Sequence, residues 1–294
     1  MIETIETTEV TGLRIDAKFS PQGRSWVDVR DASVDIDSSK LFEGVWFFDH
    51  LESVRTGPNG SESSQPIFEG WSLLSAIASI TSNVRLGLMV SCLQYRPLGV
   101  LAKIVSTIDN ITGGRVDLGL GAGNNANEAK AFGIQFPSLS NRIAILAESC
   151  EALKLMFSTD QSVSYSGNFV KIENAKNNPA PINREIPFFI GGKGEVRMFK
   201  VIAEHADFWN YSNGTPEEFS QKYSKLVSRS KELSIDRILP RASVQVQVNP
   251  SDLDGPTNLA TSYIKAGASH ILLYAVPSFE SVEGIKIVAE RLRQ

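Results

Sequence analysis

An aspartate and a histidine stand side by side behind an almost wholly apolar run, in FEGVWFFDHLESV. His50 has neutral and protonated forms near neutral pH, so it can hold a hydrogen bond or exchange a proton; Asp49 can orient it or organise the end of a strand. An ordered cap is the alternative use of the same pair. Two glycine-rich turns carry the other chemistry. In ITGGRVDLGLGAGNNANEAKAFG, Gly119, Gly121 and Gly123 occupy alternate positions near a strand end, where a flat ring or a phosphate can approach the backbone. Counted from Gly121, GAGNNA fits a loose dinucleotide pattern, but it lies mid-chain and no acidic residue closes a following strand at the expected distance. Asn124, Asn125 and Asn127 add neutral donors and acceptors suited to the edge of a heteroaromatic ring, and Asn125 equally suits a helix cap. In FFIGGKGEVRMFK, Gly191 and Gly192 end an apolar strand, Gly194 loosens the turn, and a helix is expected to begin near Glu195. Its first amides can hold an oxyanion, with Lys193 or Arg197 as the assisting cation.

Other residue types narrow the chemistry further. The three histidines, His50, His205 and His270, form no metal-ligand spacing, so no metal site is expected. His205 reads as a helix terminus or packing contact, and His270 opens a strand. Cys92 and Cys150 are too far apart for a thiol-exchange or zinc motif. The 29 Lys and Arg against 33 Asp and Glu give a formal charge of −4 with no polybasic tail, which argues against nucleic acid as a partner. The start MIETIETTEV is unlike a cationic signal peptide, and no apolar run reaches the roughly 20 residues that cross a bilayer. A cytoplasmic protein is expected.

Positioning these residues requires a scaffold of alternating elements. Strand-like runs occur in LRIDAKF, GVWFF, VRLGLMV, RVDLGLG, IPFFIGG, ADFWN, RASVQVQV and HILLYAV. Helical spacing appears over 71–80, 98–108, 142–156, 196–203, 219–227, 257–266 and 282–292. A doubly wound open sheet shares this alternation; the count of eight favours a closed (β/α)8 TIM barrel of one domain, residues 1–294. The stretch 159–185 is an excursion before the fifth strand, with a small hairpin expected around Tyr-Ser-Gly-Asn.

The segments VWFFDH, SNVRLGLMVSCLQYRPLGVLAKIVSTIDNITGGRVDLGLGAG, NEAKAFGIQFPSLSNRIAILAESCEAL, NAKNNPAPI and PFFIGGKGEVRMFKVIAEHADFWN follow one another across about residues 42 to 210. Together they resemble the luciferase-like superfamily of flavin monooxygenases and deazaflavin-dependent oxidoreductases. The resemblance implies a barrel with a flavin-type cofactor at its carboxyl-terminal mouth, either FMN or the deazaflavin coenzyme F420, a small organic substrate and, in many members, a homodimer. It places His50 beside the redox ring, Met89, Val90 and Ser91 at a strand end that carries a bulge and a non-proline cis peptide, with Met89-Val90 the expected bond, and Gly191 and Gly192 at the ribityl phosphate. Asn124 stands where deazaflavin-dependent sugar-phosphate dehydrogenases have an acid, and Glu128-Ala129 where many members have Glu-His. The lead-in SVDIDSSKLFEGVW lacks the usual Ala-Glu pair. The expected activity is monooxygenation with reduced flavin or hydride transfer with deazaflavin; a non-catalytic flavin-binding or structural barrel is the alternative.

Overall fold

The computed structural model describes residues 12–53, 65–275 and 281–294; the MIETIETTEV start and Val54 lie outside them. In chain order the elements are β1 (Arg14–Lys18), α1 (Trp26–Ser39), β2 (Gly44–Phe47), α2 (Gly70–Ala78), β3 (Arg85–Leu88), β4 (Ser91–Cys92) and α3 (Leu98–Thr112). Then come β5 (Leu118–Gly121), α4 (Ala126–Ala131), α5 (Leu139–Phe157), β6 (Ser162–Ser166), β7 (Lys171–Lys176) and β8 (Phe188–Gly191). The chain continues through α6 (Arg197–His205), β9 (Phe208–Tyr211), α7 (Pro216–Glu232), β10 (Arg241–Val248), α8 (Asp254–Lys265), β11 (His270–Ala275) and α9 (Ser281–Leu292).

The main sheet runs β3-β2-β1-β11-β10-β9-β8-β5-β4, parallel throughout. β3 and β4 are one stave interrupted at Met89-Val90. The Leu86 amide donates to the Arg115 carbonyl at 2.8 Å and the Asp117 amide donates to the Leu86 carbonyl at 2.9 Å, tying β3 to the approach of β5. Eight staves thus form a near-closed barrel, as the alternation predicts. The excursion before the fifth stave holds the expected hairpin, β6 antiparallel to β7.

Period-two alternation decides what fills this barrel. Ile15 and Ala17 of β1 pack outward against the helices, while Arg14, Asp16 and Lys18 point inward. Inside, Trp46, Met89, Phe189, Phe208 and Leu272 form a separate apolar plug, with Phe189 stacked on Phe208 at 4.1 Å. At the amino-terminal end, Arg14 bridges Asp16 and Asp117 at 2.6 Å each, Arg85 pairs with Asp117 at 2.7 Å, and Trp46 Nε1 donates to Asp16 at 2.6 Å. His270 Nε2 lies 3.0 Å from Asp16, and the buried charges of Arg14, Arg85, Asp16 and Asp117 at this end satisfy one another.

Helix α1 is absent from the sequence-based expectations, because V-D-V and V-D-I-D mimic the period of a strand. Burial of Val29, Ala32, Ser33, Ile36 and Asp37 follows the helical i, i+3, i+4 rule instead. A capping box starts it: Ser25 accepts from the Asp28 amide at 3.2 Å and Asp28 accepts from the Ser25 amide at 3.0 Å.

Candidate active site

His50 lies just beyond β2, and its partner is Glu128 of α4 rather than Asp49. His50 Nδ1 is 3.0 Å from Glu128 Oε2, and the Tyr95 hydroxyl donates to the same oxygen. The second oxygen accepts from the Leu51 amide at 2.5 Å and from the Glu52 amide at 3.1 Å. The Glu128 side chain is fully buried. Burial works against its charge, but the bonds from His50, Tyr95 and the two amides prevail and hold the carboxyl down at about 2. An ionised carboxylate only accepts, so Nδ1 carries the hydrogen and, in the neutral ring, Nε2 is left with a lone pair. Phe48 meets the imidazole edge-on at 5.3 Å and fixes its tilt.

Sequence reasoning named Glu128 only in passing and missed Tyr95. The usable signal is Asn125-x-x-Glu128. Asn125 does cap α4, accepting from the Glu128 amide at 3.1 Å, but the Glu128 side chain reaches across to His50 and the segment after it. Asn124 is exposed at the rim and has no hydrogen-bond partner among the described residues.

Asp49 organises the strand end. Its carboxylate takes both arms of Arg96 at 2.7 Å and accepts from the Cys92 amide at 3.3 Å, while Arg96 also pairs with Glu69. Glu69 caps α2 through the Trp71 and Ser72 amides. Burial raises the Asp49 pKa despite Arg96. Ser91 turns away from the barrel and accepts from Trp71 Nε1 at 3.1 Å, so its hydroxyl positions α2.

The Met89-Val90 bond is cis, at the position the resemblance implies. Met89 joins the apolar plug, and Val90 projects over the first glycine run. A Cβ at Gly119 would stand 2.0 Å from the Leu88 carbonyl oxygen, and one at Gly121 would stand 2.5 Å from Val90 Cγ2. These two glycines therefore admit the chain's own third stave. Gly123 likewise lies against Cys92, Gln94 and Phe136.

The second glycine turn is different. Gly191 is partly exposed, and a Cβ there would find nothing nearer than 3.9 Å. Helix α6 begins at Arg197 with no side-chain cap, and of its first-turn amides that of Phe199 donates to the Gly194 carbonyl at 3.0 Å. Trp209 Nε1 donates to the Gly192 carbonyl at 2.8 Å and anchors the turn. Lys193 donates to the Asn213 carbonyl and rests 4.3 Å from the Tyr211 ring; burial lowers its pKa. Arg197 donates to Ser140 and Gly194 is exposed. Open space at Gly191, a helix start with no side-chain cap and one adjacent ammonium are features that fit a phosphate group.

The model of the family described as luciferase-like monooxygenase matches residues 25–274. This chain belongs to the luciferase-like monooxygenase family. An uncharacterized protein of Mycobacterium tuberculosis (strain ATCC 25618 / H37Rv) is 34% identical over 140 residues, 47% of this chain and 48% of the relative. An F420-dependent glucose-6-phosphate dehydrogenase of Amycolatopsis mediterranei is 28% identical over 181 residues, 61% of this chain and 50% of the relative. The matched stretch thus spans about half the length of these curated relatives. Among solved structures, an F420-dependent secondary alcohol dehydrogenase in complex with an F420-acetone adduct superposes with a TM-score of 0.82 at 16% identity, covering 96% of this chain and all of the other. The luciferase-like fold is thereby shown, and with it a fold related to enzymes that use flavin-type cofactors. No helix among the described residues is long and apolar enough to cross a membrane.

Proposed function

We propose that this family member is a flavin-type oxidoreductase that interconverts an alcohol and its carbonyl compound, with deazaflavin as the preferred cofactor and His50 as the proton-transfer group. The observation that carries this reading is the bond from His50 Nδ1 to a buried, ionised Glu128, which leaves Nε2 as an oriented base. Such a base suits a hydroxyl substrate. When bound, the cofactor supplies a ring carbon that accepts hydride. His50 Nε2 takes the hydroxyl proton as the substrate C–H bond gives up its hydride and the C=O bond forms. Glu128 stabilises the imidazolium so produced, as a carboxylate behind a catalytic histidine does. Asn124 has no proton to exchange, and the Glu128 carboxylate is committed to His50, so the proton falls to the histidine. Val90 and the apolar plug form a dry floor beneath the reacting atoms. The F420-dependent relatives support the choice of deazaflavin.

Anaerobic titration with FMN and with coenzyme F420, followed by visible spectroscopy, tests the cofactor; tighter binding of F420 is expected. Stopped-flow reduction by a panel of secondary alcohols then tests His50. His50→Ala should bind cofactor within a few-fold of the parent and reduce it ~10²-fold more slowly. Reduction at the parental rate would reject His50 as the base, and tighter FMN binding would favour monooxygenation.

A further inference from the structure

The inward face of β10 locates the floor of the mouth. Ser243 is buried, Gln245 is partly exposed and Gln247 is exposed, so the interior opens between the first and second of these. Lys18 stands at that level. It is register partner of Tyr274, which pairs in turn with Gln247, and its Nζ donates to Gln245 Oε1 at 2.6 Å. The residue is 8% exposed, and its ammonium sits 4.8 Å from the Tyr274 ring centroid. A row of neutral groups continues from it: Gln245 Nε2 donates to Asn210 at 2.8 Å, and Asn210 Nδ2 donates to Ser243 at 2.9 Å.

A buried ammonium normally has a carboxylate partner. Lys18 has none among the described residues. The acids deeper in the barrel, Asp16 and Asp117, are taken up by Arg14, Arg85, Trp46 and His270, and burial keeps Tyr274 neutral by raising its pKa. One amide oxygen accepts from Lys18, and two of its three donors have no acceptor among the described residues. Burial accordingly lowers the Lys18 pKa to about 8, which still leaves it largely charged at neutral pH.

We infer that Lys18 recognises a carboxylate on the substrate, so that the molecule oxidised at His50 is a hydroxy acid, or the molecule reduced there a keto acid. This rests on the oxidoreductase reading above. β2, which carries His50, flanks β1 on one side, whereas Lys18 reaches past β11 to β10 on the other. A substrate spanning the mouth presents its hydroxyl to one side and its carboxylate to the other. The two spare donors match two carboxylate oxygens, and a single cation among neutral amides fits a monoanion better than a phosphate dianion.

Butyrate, a monocarboxylate without a hydroxyl, probes the site with no turnover. In full-length protein labelled with 13Cε-lysine, NMR should show butyrate raising the Lys18 pKa by roughly a unit or more, with butyramide leaving it unmoved. Lys18→Met should weaken butyrate binding by roughly 10- to 100-fold. His50→Ala should bind butyrate as the parent does. An unmoved Lys18 resonance, or equal binding by Lys18→Met, overturns the carboxylate assignment and leaves the oxidoreductase reading intact. Conversely, failure of every alcohol and hydroxy acid tried to reduce the cofactor in the parent protein, with butyrate binding still dependent on Lys18, rejects that reading while the anion site stands.

Discussion

Glu128 turns His50 from a residue that lines a pocket into one with a defined tautomer, and the two must be considered together. Glu128→Gln keeps the shape and removes the charge. It should slow cofactor reduction by ~10- to 10²-fold, since an amide no longer stabilises the imidazolium. It also has a stability signature. A carboxyl whose folded pKa is about 2 against an ordinary 4.5 contributes stability that is complete above 4.5 and is lost as pH falls through about 2. The urea midpoints of parent and Glu128→Gln should therefore differ at pH 7, and the gap should close between pH 4.5 and pH 2; a gap that does not change with pH would show that Glu128 is not held ionised. At this scale the sequence was half legible. Asp49-His50 is recognisable because charge behind an apolar run marks a strand end. Glu128 and Tyr95 are not, because 78 and 45 residues separate them from His50 and no local pattern announces a contact made by closure of the barrel.

Between β8 and α6, neighbouring glycines do different things. Gly192 has φ +146°, a region open chiefly to glycine, and a Cβ on it would stand 2.6 Å from Met198 Cγ. Gly192→Asp is thus expected to destabilise the turn itself. At Gly194 no positive φ intervenes and the nearest atom, Met198 Cβ, is at 3.4 Å. Gly194→Asp should keep the parental melting temperature and weaken a phosphate-bearing cofactor, because it sets a negative charge before the start of α6, which has no side-chain cap. Equal cofactor affinity in the folded Gly194→Asp variant would move the phosphate elsewhere. Element types were well marked wherever apolar period and turn residues agreed, as in IPFFIGG and HILLYAV. Helix α1 was not, since Val-Asp alternation copies a strand and its Ser25-x-x-Asp28 cap is the only contrary sign. The glycines at 119 and 121 were visible as places of close approach. What approaches them is Val90, which follows from the interruption of the third stave and not from the spacing of the glycines.

Across the whole barrel, buried charge is treated in two ways. At the amino-terminal end Arg14, Arg85, Asp16 and Asp117 satisfy one another, which is how a structural polar cluster is built. At the mouth Lys18 is left with an amide and an aromatic face, an arrangement that costs stability unless a ligand completes it. The sign follows from linkage. A lysine whose folded pKa is about 8, against 10.5 when exposed, makes the protein least stable below 8, and stability recovers as pH rises from 8 toward 10.5 and the unfolded chain holds more protons. Lys18→Met removes the charge and keeps the length of the chain, and Gln245, being partly exposed, can accept a bond from water instead. The variant should be stabler than the parent at pH 7 by about 1–3 kcal/mol, a rise of several degrees in melting temperature for a domain of this size. The difference should shrink as the pH is raised through 8 to 10. Calorimetry of the two proteins across that range checks it. A variant that melts lower than the parent at pH 7 would mean that Lys18 already has the partners it needs and contributes to the fold; one that melts higher marks a residue kept in the mouth at the expense of stability, as binding groups are.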